Sequence, residues 1–514
     1  MGFSTPEEFD AAYKSTRDAF NAGITKDKKW RLKQLKKAFW MMEDNKERIC
    51  KALYDDLHKH KQESVMADIV AVQHDILDTI KNFDAWTKDE KPFRFDPLNF
   101  MMGTTVRKEP LGVTLIIGAW NYPMLLLLQP MVAAIAAGCA VILKPSDVAV
   151  ASQDLLMEMI PKYLDQRAIR CVTAGPKEMA YILEHKYDHI FYTGSAAVAK
   201  FIHAAAAKHL TPVTLELGGQ GPAIVSKNAN IELAAKRIAA TKFMNAGQVC
   251  LNVNHVLVDP SVRKELVSRM ANYFDTFNGG KGNRPEWITH VVNDRNWARL
   301  DNLLKNTQGK IVYGGERDAK TRYFAPTIVV DVKPGDSLLS EELFGPILPV
   351  VDMTYDQAIK FTAQGEHPLA LYPFTESQAE KDRISKETLS GGVTFNDCAL
   401  HAFAKGAPFG GTGNSGTGAY HGPYGILTFS HLRTYVNGLP SWMEGLMSAR
   451  YPPYSDKKTK FLAPPPKASF DREGNDIGVF GSMAALLGFG AAAATAYVLV
   501  PKEYYGKYLA KLYK

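Results

Sequence analysis

From Gly112 to Ser195 the chain alternates short runs of strand character with longer runs of helical character. The strand-like runs are Gly112–Gly118, Val141–Leu143, Cys171–Thr173 and His189–Thr193. This alternation is typical of a parallel sheet whose two faces are both covered by helices. The sequence therefore predicts an α/β fold built on doubly wound parallel sheets.

One helix-like run in this region is apolar enough to allow a second interpretation. Pro123–Leu143 has Gln129 as its one clearly polar side chain over 21 residues, and about 20 apolar residues suffice to cross a bilayer. However, the run contains Pro130, is interrupted by Gly138 and lies between two strand-like runs. We therefore interpret it as a buried crossover helix of the sheet.

A single cysteine ends the polar, small-residue stretch Phe243–Cys250. A helix-like run, Ile231–Thr241, precedes this stretch, and a strand-like run follows it. Cysteine reacts as its thiolate, and a helix terminus or nearby backbone N–H groups can lower the pKa of the thiol. An isolated cysteine is more often a small buried hydrophobic residue, so the assignment of Cys250 as a nucleophile needs further support.

Two polar residues upstream provide that support. Glu216 stands at the end of a strand-like run and is followed by Gly218 and Gly219, which allow a close approach of the backbone. Asn121 follows the first strand-like run of the sheet. A nucleophile, a base and an amide donor are then all present, so Cys250, Glu216 and Asn121 are our candidate catalytic residues.

Composition argues against several other classes of protein. The 514 residues with 46% apolar content can form two or three domains. The formal charge of +7 is modest, and we see no basic stripe with aromatic residues that would indicate nucleic-acid binding. The five cysteines are odd in number and widely spaced, which favours a reducing compartment over a disulfide framework or clustered metal ligands.

The C-terminal part of the sequence differs in amino-acid composition from the rest. Tyr451–Pro466 contains five prolines and three lysines, which predicts a semi-extended spacer. Ile477–Val500 then gives 24 residues without a charge, enough helix to cross a bilayer core of about 30 Å. Residues 501–514 are rich in Tyr and Lys, as in an interfacial belt. We expect residues 477–500 to be a transmembrane tail anchor.

Six motifs, in order along the chain, carry a resemblance to a known family. They are Trp120-Asn121-Tyr122-Pro123, Lys144-Pro145-Ser146, Tyr192-Thr193-Gly194-Ser195, Glu216-Leu217-Gly218-Gly219, Asn245–Cys250 and Glu342-Leu343-Phe344-Gly345-Pro346. Two further motifs, Pro408-Phe409-Gly410-Gly411 and Gly418-Ala419-Tyr420-His421-Gly422, have class 3 character. Over residues 5–445 the chain resembles the class 3 aldehyde dehydrogenases, of the membrane-anchored fatty aldehyde dehydrogenase type.

The resemblance implies an aldehyde dehydrogenase-like fold with two doubly wound parallel-sheet domains. Residues 1–82 and 105–211 would form an NAD(P)-binding Rossmann-like domain, and residues 212–425 would form the catalytic domain. Residues 83–104 and 426–445 would be bridging segments that supply the intersubunit strands of a homodimer. The remaining parts would be a Pro/Lys-rich linker at 446–476, the transmembrane anchor at 477–500 and the basic tail at 501–514.

The resemblance also implies catalytic roles. Cys250 would attack the aldehyde carbonyl, and the oxyanion would lie near the Asn121 amide and the Cys250 backbone N–H. Transfer of hydride to the nicotinamide cofactor would leave a thioester. Glu216 would activate the water that hydrolyses the thioester, because a carboxylate in a partly apolar site has a raised pKa and works as a base near neutrality.

Five further residues are implied in cofactor binding. Lys144 would contact the adenosine ribose, Glu342 would hold the nicotinamide ribose, and Phe344 would pack beside the nicotinamide ring. Gly194 and Ser195 would open a helix whose N-terminus faces the pyrophosphate. Outside this family context, Lys144 could be a solvated strand end, and Gly194 with Ser195 could be an ordinary helix cap. The expected cofactor is NAD, with NADP possible, and no metal is expected.

The sequence departs from the family pattern at three places. Ala199 replaces the family's usual second glycine after Gly194, and Asp147 replaces a Glu common after Lys-Pro-Ser. The acid at that position discriminates against a 2′-phosphate, so the departure bears on the choice between NAD and NADP. Residues 251–255 differ from the Pro-Asp-Tyr pattern of many class 3 members, which bears on substrate preference.

The function implied is NAD(P)-dependent oxidation of medium- or long-chain fatty aldehydes, with aromatic aldehydes as an alternative. Two other classes stay open. One is a Cys-dependent acyl hydrolase or transferase, although such sites usually pair the cysteine with a histidine. The other is an inactive, membrane-tethered scaffold. We expect the catalytic domain to face the cytosol, on the mitochondrial outer membrane first and on the endoplasmic reticulum or lipid droplets second.

Overall fold

The computed structural model describes residues 2–92, 97–463, 466 and 468–476. The chain divides into two compact units. Among the described residues, those within 1–99 and 103–436 form the main unit, and those within 100–102 and 437–476 form the second unit. All the predicted catalytic and cofactor-binding residues belong to the main unit. The predicted anchor at 477–500 and the tail at 501–514 lie outside the described residues.

The strands of the described residues form two large sheets and two short ribbons. In chain order they are β1 Thr105–Pro110, β2 Val113–Ile117, β3 Ala140–Lys144, β4 Ile169–Cys171, β5 His189–Thr193, β6 Val213–Glu216, β7 Pro222–Val225, β8 His255–Val258, β9 Lys310–Tyr313, β10 Arg317–Asp318, β11 Tyr323–Phe324, β12 Thr327–Val330, β13 Ile347–Asp352, β14 Ala370–Phe374, β15 Gly392–Val393, β16 Gly416–Thr417 and β17 Ser430–Tyr435.

The α-helices of the described residues cover and connect these strands. They are α1 Pro6–Asn21, α2 Lys28–Asp44, α3 Lys46–Leu57, α4 Lys61–Glu63, α5 Ala71–Thr87, α6 Pro97–Met101, α7 Leu125–Ala137, α8 Val150–Tyr163, α9 Pro176–Ile182, α10 Ala196–Ala207, α11 Ile231–Phe243, α12 Arg263–Phe277, α13 Asp294–Asn306, α14 Tyr355–Gln364, α15 Gln378–Glu387, α16 Gly422–Thr428, α17 Glu444–Met447 and α18 Asp456–Leu462. A π-helical stretch, Ser64–Val70, joins α4 to α5.

The first sheet has six strands in the order β16-β6-β5-β2-β3-β4. The pairs among β6, β5, β2, β3 and β4 are parallel, and the short edge strand β16 pairs antiparallel with β6. Every residue of β2, β3 and β5 is buried, because helices cover both faces. The predicted parallel sheet is confirmed, and the antiparallel edge is an addition to it.

The second sheet has seven strands in the order β15-β14-β7-β8-β13-β12-β9. Five of its six strand pairs are parallel, and the edge strand β9 runs antiparallel to β12. Strand β1 pairs antiparallel with β17, from Thr105 opposite Tyr435 to Pro110 opposite Ser430. This ribbon joins a strand just after residues 83–104 to a strand within residues 426–445, the two predicted bridging segments.

Helix α7 connects β2 to β3 and is buried along most of its length. It packs against α5, α2 and β3, and Leu127, Leu128 and Met131 are fully buried. Each such side chain contributes about 1.5–3 kcal/mol on leaving water. The interpretation of Pro123–Leu143 as a crossover helix is confirmed, since the helix ends at a left-handed Gly138 and the chain continues directly into β3.

In the second unit, the predicted extended spacer is wrong for residues 456–462. These residues form α18, and the Ser455 side chain accepts a hydrogen bond from Lys458 N at its start. An N-cap serine and an acidic first turn favour a short helix even in a Pro-rich segment. Within the described ranges, no helix combines the length and the apolar character that a bilayer crossing needs.

Candidate active site

The carboxyl ends of four parallel strands bring most of the predicted site residues to one edge of the six-stranded sheet. Asn121 follows β2, Lys144 ends β3, Gly194 follows β5 and Glu216 ends β6. The chain builds β3 and β4 on one side of β2 and then returns to place β5 on the other side. Open α/β sheets bind ligands in the crevice at such a switch point.

The turn that presents Cys250 has an unusual backbone. After α11, Asn245 and Ala246 both have φ of 51°, in the left-handed region that non-glycine residues rarely adopt. Gly247 follows with φ of 70°, and a Cβ there would lie 2.3 Å from the Gly345 carbonyl oxygen. The half-buried thiol of Cys250 follows three residues later. Such backbone strain persists only where surrounding contacts hold it.

Side chains within the turn supply several of those contacts. Asn245 Nδ2 donates to the carbonyl oxygens of Gln248 at 3.0 Å and Asn121 at 3.1 Å. Gln248 Nε2 donates to the carbonyl oxygens of Asn245 at 3.0 Å and His290 at 2.9 Å. Both side chains are fully buried. The polar residues between α11 and Cys250 therefore fix the geometry of the turn that presents Cys250.

Asn121 is linked directly to the same turn. Its side chain is buried, and its Nδ2 donates to the carbonyl oxygen of Gln248 at 3.1 Å. A carboxamide nitrogen carries two hydrogens, so one remains for a substrate oxygen. The structure brings the predicted amide donor and the predicted nucleophile together, as the sequence motifs required.

Glu216 is buried at the end of β6. Neither carboxylate oxygen has a hydrogen-bond partner among the described residues, and burial raises the pKa of Glu216 well above its usual range. A Cβ on Gly410 would lie 3.1 Å from Glu216 Oε1, and β16 pairs Gly416 with Glu216. The Gly-rich loop at residues 406–418 therefore lies against Glu216.

Burial also dominates the chemistry of the Cys250 thiol. It raises the pKa of Cys250 to about 12, and the negative charges of Glu342 and Glu216 add to the rise. The backbone N–H groups of Cys250 and Leu251 act in the opposite direction but are outweighed. Burial and the two carboxylates therefore outweigh the lowering of the thiol pKa by backbone N–H groups that the sequence allows for Cys250.

The residues implied in binding the adenosine and pyrophosphate lie on the same edge. Lys144 is buried, and its Nζ lies 2.9 Å from Asp147 Oδ1. Ser195 is the N-cap of α10, and its Oγ accepts a hydrogen bond from Val198 N. The predicted helix start is confirmed. Ala199 is buried within α10, where its methyl group is accommodated without breaking the helix.

Glu342 and Phe344 lie on a loop of the second sheet that reaches the same region. Arg299 donates to the carbonyl oxygens of Glu342 and Leu343, at 3.3 and 2.6 Å. The Phe344 ring meets the Trp120 ring edge to face, with 5.3 Å between centroids. Burial raises the pKa of Glu342 to about 7, although a backbone hydrogen bond from Gly219 and the charge of Arg299 oppose the rise.

A cavity of about 670 Å³ opens beside these residues, within the size range of small-molecule sites, about 300–1,000 Å³. Its lining includes Ala196 at the start of α10, the glycines Gly218 and Gly219, and Glu342. A Cβ on Gly218 would lie 2.3 Å from Glu342 Oε1, so only glycine allows the carboxylate to stand there. A helix start, a glycine-lined wall and an inward carboxylate fit a dinucleotide with its ribose hydroxyls.

Three charged residues near the site were not predicted. Lys59 Nζ donates to the Asn121 carbonyl oxygen at 2.8 Å, and Lys59 forms an ion pair with Asp68 at 3.1 Å. Glu63 Oε1 accepts a hydrogen bond from Asn245 N at 2.6 Å. All three lie in a charged, helix-forming stretch of sequence whose pattern indicates an outer helical layer, and no local signal marks them as partners of residues 60 to 180 positions away.

The profile described as "Aldehyde dehydrogenase family" matches residues 2–435. The chain belongs to the aldehyde dehydrogenase family. It is an NAD(P)-dependent aldehyde dehydrogenase, and the resemblance found in its six sequence motifs is confirmed. The match ends at the last residue of β17, so it covers both large sheets and both short ribbons.

Individual aldehyde dehydrogenases align with this chain along nearly their whole lengths. The Mus musculus protein named "Aldehyde dehydrogenase, dimeric NADP-preferring" is 44% identical over 439 residues, which are 85% of this chain and 96% of the mouse protein. The Homo sapiens protein "Aldehyde dehydrogenase family 3 member B1" is 40% identical over 450 residues, 87% and 95% of the two chains. The substrate-bound structure of AldH from Staphylococcus aureus has a TM-score of 0.84 and 34% identity, and covers 88% of this chain and 98% of that one.

Proposed function

We propose that Cys250 is the nucleophile of this aldehyde dehydrogenase, that Asn121 binds the oxyanion and that Glu216 is the base. The observation that carries the proposal is the convergence of the three groups from separate parts of the chain, the end of β2, the end of β6 and the turn after α11. Asn121 donates to the turn that presents Cys250, and the Glu216 carboxylate is close enough to raise the pKa of the Cys250 thiol.

The proposed reaction proceeds in two stages on the protein. The Cys250 thiol loses its proton to solvent water, and the sulfur then bonds to the aldehyde carbon as the carbonyl π bond opens. The carbonyl oxygen becomes an oxyanion beside the Asn121 amide and the Cys250 N–H. A bound nicotinamide would accept the hydride that leaves the substrate carbon. The substrate is then held as a thioester on Cys250.

Hydrolysis of the thioester completes the turnover. Glu216 removes a proton from a water molecule, the hydroxide adds to the thioester carbon, and the C–S bond breaks to give the carboxylic acid and the free thiol. A buried carboxylate with a raised pKa is a stronger base than an exposed one. The absence of hydrogen-bond partners for Glu216 among the described residues leaves both oxygens available to water.

For the cofactor, we propose that Lys144 binds the adenosine ribose, that Gly194 and Ser195 place the start of α10 at the pyrophosphate, and that Glu342 and Phe344 hold the nicotinamide end. The Asp147 carboxylate, 2.9 Å from Lys144 Nζ, opposes a 2′-phosphate at the same ribose. NAD is therefore the first choice. NADP stays the second choice, in keeping with the name of the mouse relative.

The proposed substrates are medium- or long-chain fatty aldehydes, with aromatic aldehydes as the alternative. The support is the class 3 resemblance together with the uncharged residues 477–500, which we propose as a tail anchor. The catalytic domain would then face the cytosol, on the mitochondrial outer membrane first and the endoplasmic reticulum or lipid droplets second. If alkaline carbonate releases the full-length protein from membranes, the anchor is excluded.

We also propose a homodimer in which residues 83–104 and 426–445 contribute to the contact. Strand β17 supports this, because Leu432 is 50% exposed and the neighbouring Val436 is 56% exposed, and the mouse relative is named as dimeric. We propose a cofactor domain of residues 1–82 and 105–211 and a catalytic domain of residues 212–425. The second range holds all seven strands of the second sheet and also supplies β6 and β16 to the first sheet. Light scattering of the protein truncated at Arg450 tests the dimer, and a monomer at micromolar concentration contradicts it.

The test of the proposed function is the absorbance of reduced cofactor after aldehyde is added to the wild-type and Cys250→Ala proteins. Formation of reduced cofactor in the wild type alone supports the assignment. Release of product acid from a thioester substrate without reduced cofactor would favour the acyl hydrolase. No product in either assay would favour the inactive scaffold.

A further inference from the structure

The ion pair of Lys59 and Asp68 is fully enclosed by protein, since both side chains have 0% exposure. Such a pair is weak evidence for stability, because the desolvation of two charges offsets most of their attraction. A role beyond stability therefore has to be sought in what else the two groups contact. Asp68 lies in the π-helical stretch Ser64–Val70. Turns of π-helix are rare in proteins overall, but those that occur are often found at functional sites.

The pair holds both ends of the segment that carries Asn121. Lys59 Nζ donates to the Asn121 carbonyl oxygen at 2.8 Å and lies 4.1 Å from the centroid of the Tyr122 ring. Asp68 Oδ1 accepts hydrogen bonds from Met124 N at 3.2 Å and Leu125 N at 3.3 Å. One ion pair therefore fixes the backbone on either side of the Asn121–Leu125 turn.

A third charged residue, Glu63, directly precedes the π-helical stretch and holds the turn that presents Cys250. Glu63 Oε1 accepts a hydrogen bond from Asn245 N at 2.6 Å, and Glu63 Oε2 accepts one from Thr289 Oγ1 at 3.0 Å. Asn245 is the first of the two left-handed residues before Cys250. Asn245 Nδ2 in turn donates to the Asn121 carbonyl oxygen, the atom that Lys59 also contacts.

We propose that Lys59, Asp68 and Glu63 are positioning residues that hold the Asn121 amide and the Cys250 sulfur in the arrangement needed for attack on the carbonyl. They contact no reacting atom and act through Asn121 and Asn245. This inference rests on the proposed roles of Cys250 and Asn121. Its physical basis is that a displacement of about 1 Å at a reacting group can lower the rate by about 100-fold.

The first test neutralises the ion pair. Removal of one partner alone leaves an uncompensated buried charge and can prevent folding, so Lys59→Met is combined with Asp68→Asn, whose amide oxygen still accepts from Met124 N and Leu125 N. The control is Asp56→Asn, because Asp56 also accepts from two backbone N–H groups at the start of a helix, with Oδ1 accepting from Ala151 N and Oδ2 from Ser152 N, both at 2.8 Å. Asp56 contacts neither Asn121 nor the turn that presents Cys250.

Stopped-flow absorbance of the first turnover measures the rate of acylation. The neutral pair is expected to slow the burst of reduced cofactor by about 10- to 100-fold, with the cofactor Kd unchanged, whereas Asp56→Asn leaves the burst rate unchanged. An unchanged burst in the neutral pair overturns the inference. An equal slowing in the Asp56→Asn control overturns it as well, because the effect is then a general loss of structure.

A double-mutant cycle with Asn121→Ala separates positioning from other effects. If Lys59 and Asp68 act through the Asn121 amide, their neutralisation changes the burst rate less than twofold once that amide is gone. The same slowing in both backgrounds contradicts the inference. If Asn121→Ala alone leaves the burst rate unchanged, it is the proposed oxyanion role that fails, so the two failures are distinguishable.

Glu63 gives a second variant pair that does not disturb the enclosed ion pair. Glu63→Gln keeps an oxygen that can accept from Asn245 N, whereas Glu63→Ala does not. The inference predicts a burst rate near that of the wild type for Glu63→Gln and a slowing of about 10-fold for Glu63→Ala, with slower alkylation of Cys250 by iodoacetamide in the Ala variant alone. Equal burst rates in the two variants would contradict it.

Discussion

The Cys250 turn and the Glu216 strand end lie in the same site and are both sheltered from water, yet they differ in their hydrogen bonds. The turn is held by several hydrogen bonds, which involve the side chains of Asn245, Gln248 and Asn121. Both oxygens of Glu216 have none within the described part of the chain. In the Cys250 turn, polar side chains hold the backbone in place. At the end of β6, the carboxylate of Glu216 has no hydrogen-bond partner among the described residues.

The difference shows how one fold supports two requirements of the reaction. Attack by sulfur needs a fixed geometry, because the oxyanion donors must point to where charge develops. Activation of water needs a base that is not already occupied, and burial without a partner raises the pKa of Glu216. A strand end, at Glu216, and a turn after a helix, at Cys250, supply the two environments.

The largest expected effect is loss of the sulfur that the turn presents. Cys250→Ala should reduce aldehyde oxidation by more than about 1,000-fold, while the affinity for the cofactor, measured by fluorescence, stays unchanged. Cys171→Ala is the matched control, since Cys171 is also half-buried but lies at the end of β4, outside the site. Retention of more than a few per cent of the activity in Cys250→Ala would remove the nucleophile from this turn.

The second effect comes from the unsatisfied carboxylate. Glu216→Gln should lower steady-state turnover by about 100- to 10,000-fold, the usual contribution of a general base, but a burst of reduced cofactor should precede the slow phase. The reason is that hydride transfer can precede hydrolysis of the thioester. A burst that falls in proportion to turnover would place Glu216 in acylation instead.

A smaller effect is expected on the reactivity of the thiol. Because negative charge on Glu342 and Glu216 raises the pKa of Cys250, Glu342→Gln should lower that pKa. Alkylation of Cys250 by iodoacetamide at pH 8 should then be faster, by up to about tenfold for each pKa unit. Glu216→Gln should act in the same direction to a smaller extent. Slower alkylation in both variants would contradict this electrostatic coupling.

The smallest effect concerns stability. Burial raises the folded-state pKa of Glu216 above its ordinary value of 4.5, so the stability that the protonated group contributes is present below pH 4.5 and is lost as pH rises through the folded-state pKa. Glu216→Gln, which cannot ionise, should therefore have a higher Tm than the wild type at pH 8, by a few degrees (about 2–4 °C per kcal/mol). A lower Tm for the variant at pH 8 would mean that Glu216 has partners in the folded protein.

Much of the fold could be predicted, because periodicity and composition report burial directly. The apolar runs at 112–118 and 189–193 became β2 and β5, and Pro130 with Gly138 correctly indicated a crossover helix rather than a membrane span. The antiparallel edges β9 and β16 were not predictable from local pattern, because pairing at an edge depends on which distant strand arrives there. Helix α18 was missed because the proline content of its segment outweighed the cap at Ser455.

In the site, too, some residues could be predicted from the sequence and others could not. Cys250, Glu216 and Asn121 stand in recognisable motifs, so the sequence alone marks them as candidate catalytic residues. Lys59, Glu63 and Asp68 resemble ordinary charges of a solvated helix in sequence, and only the tertiary structure encloses Lys59 and Asp68 completely. The raised pKa of Cys250 could not be predicted for the same reason, since burial and the proximity of the Glu342 carboxylate, 92 positions away, are properties of the folded chain.

The most direct test of the contrast between the two regions is intact-protein mass spectrometry of Glu216→Gln, quenched in acid after one turnover with aldehyde and NAD. The expected result is an added acyl group, mapped to the peptide that contains Cys250 and lost on treatment with hydroxylamine, at close to one group per active site. Rapid quenching of the wild type should give far less acyl-protein. An unmodified Glu216→Gln protein that has nevertheless formed reduced cofactor, or an acyl group on a different residue, would contradict the proposed division of labour between Cys250 and Glu216.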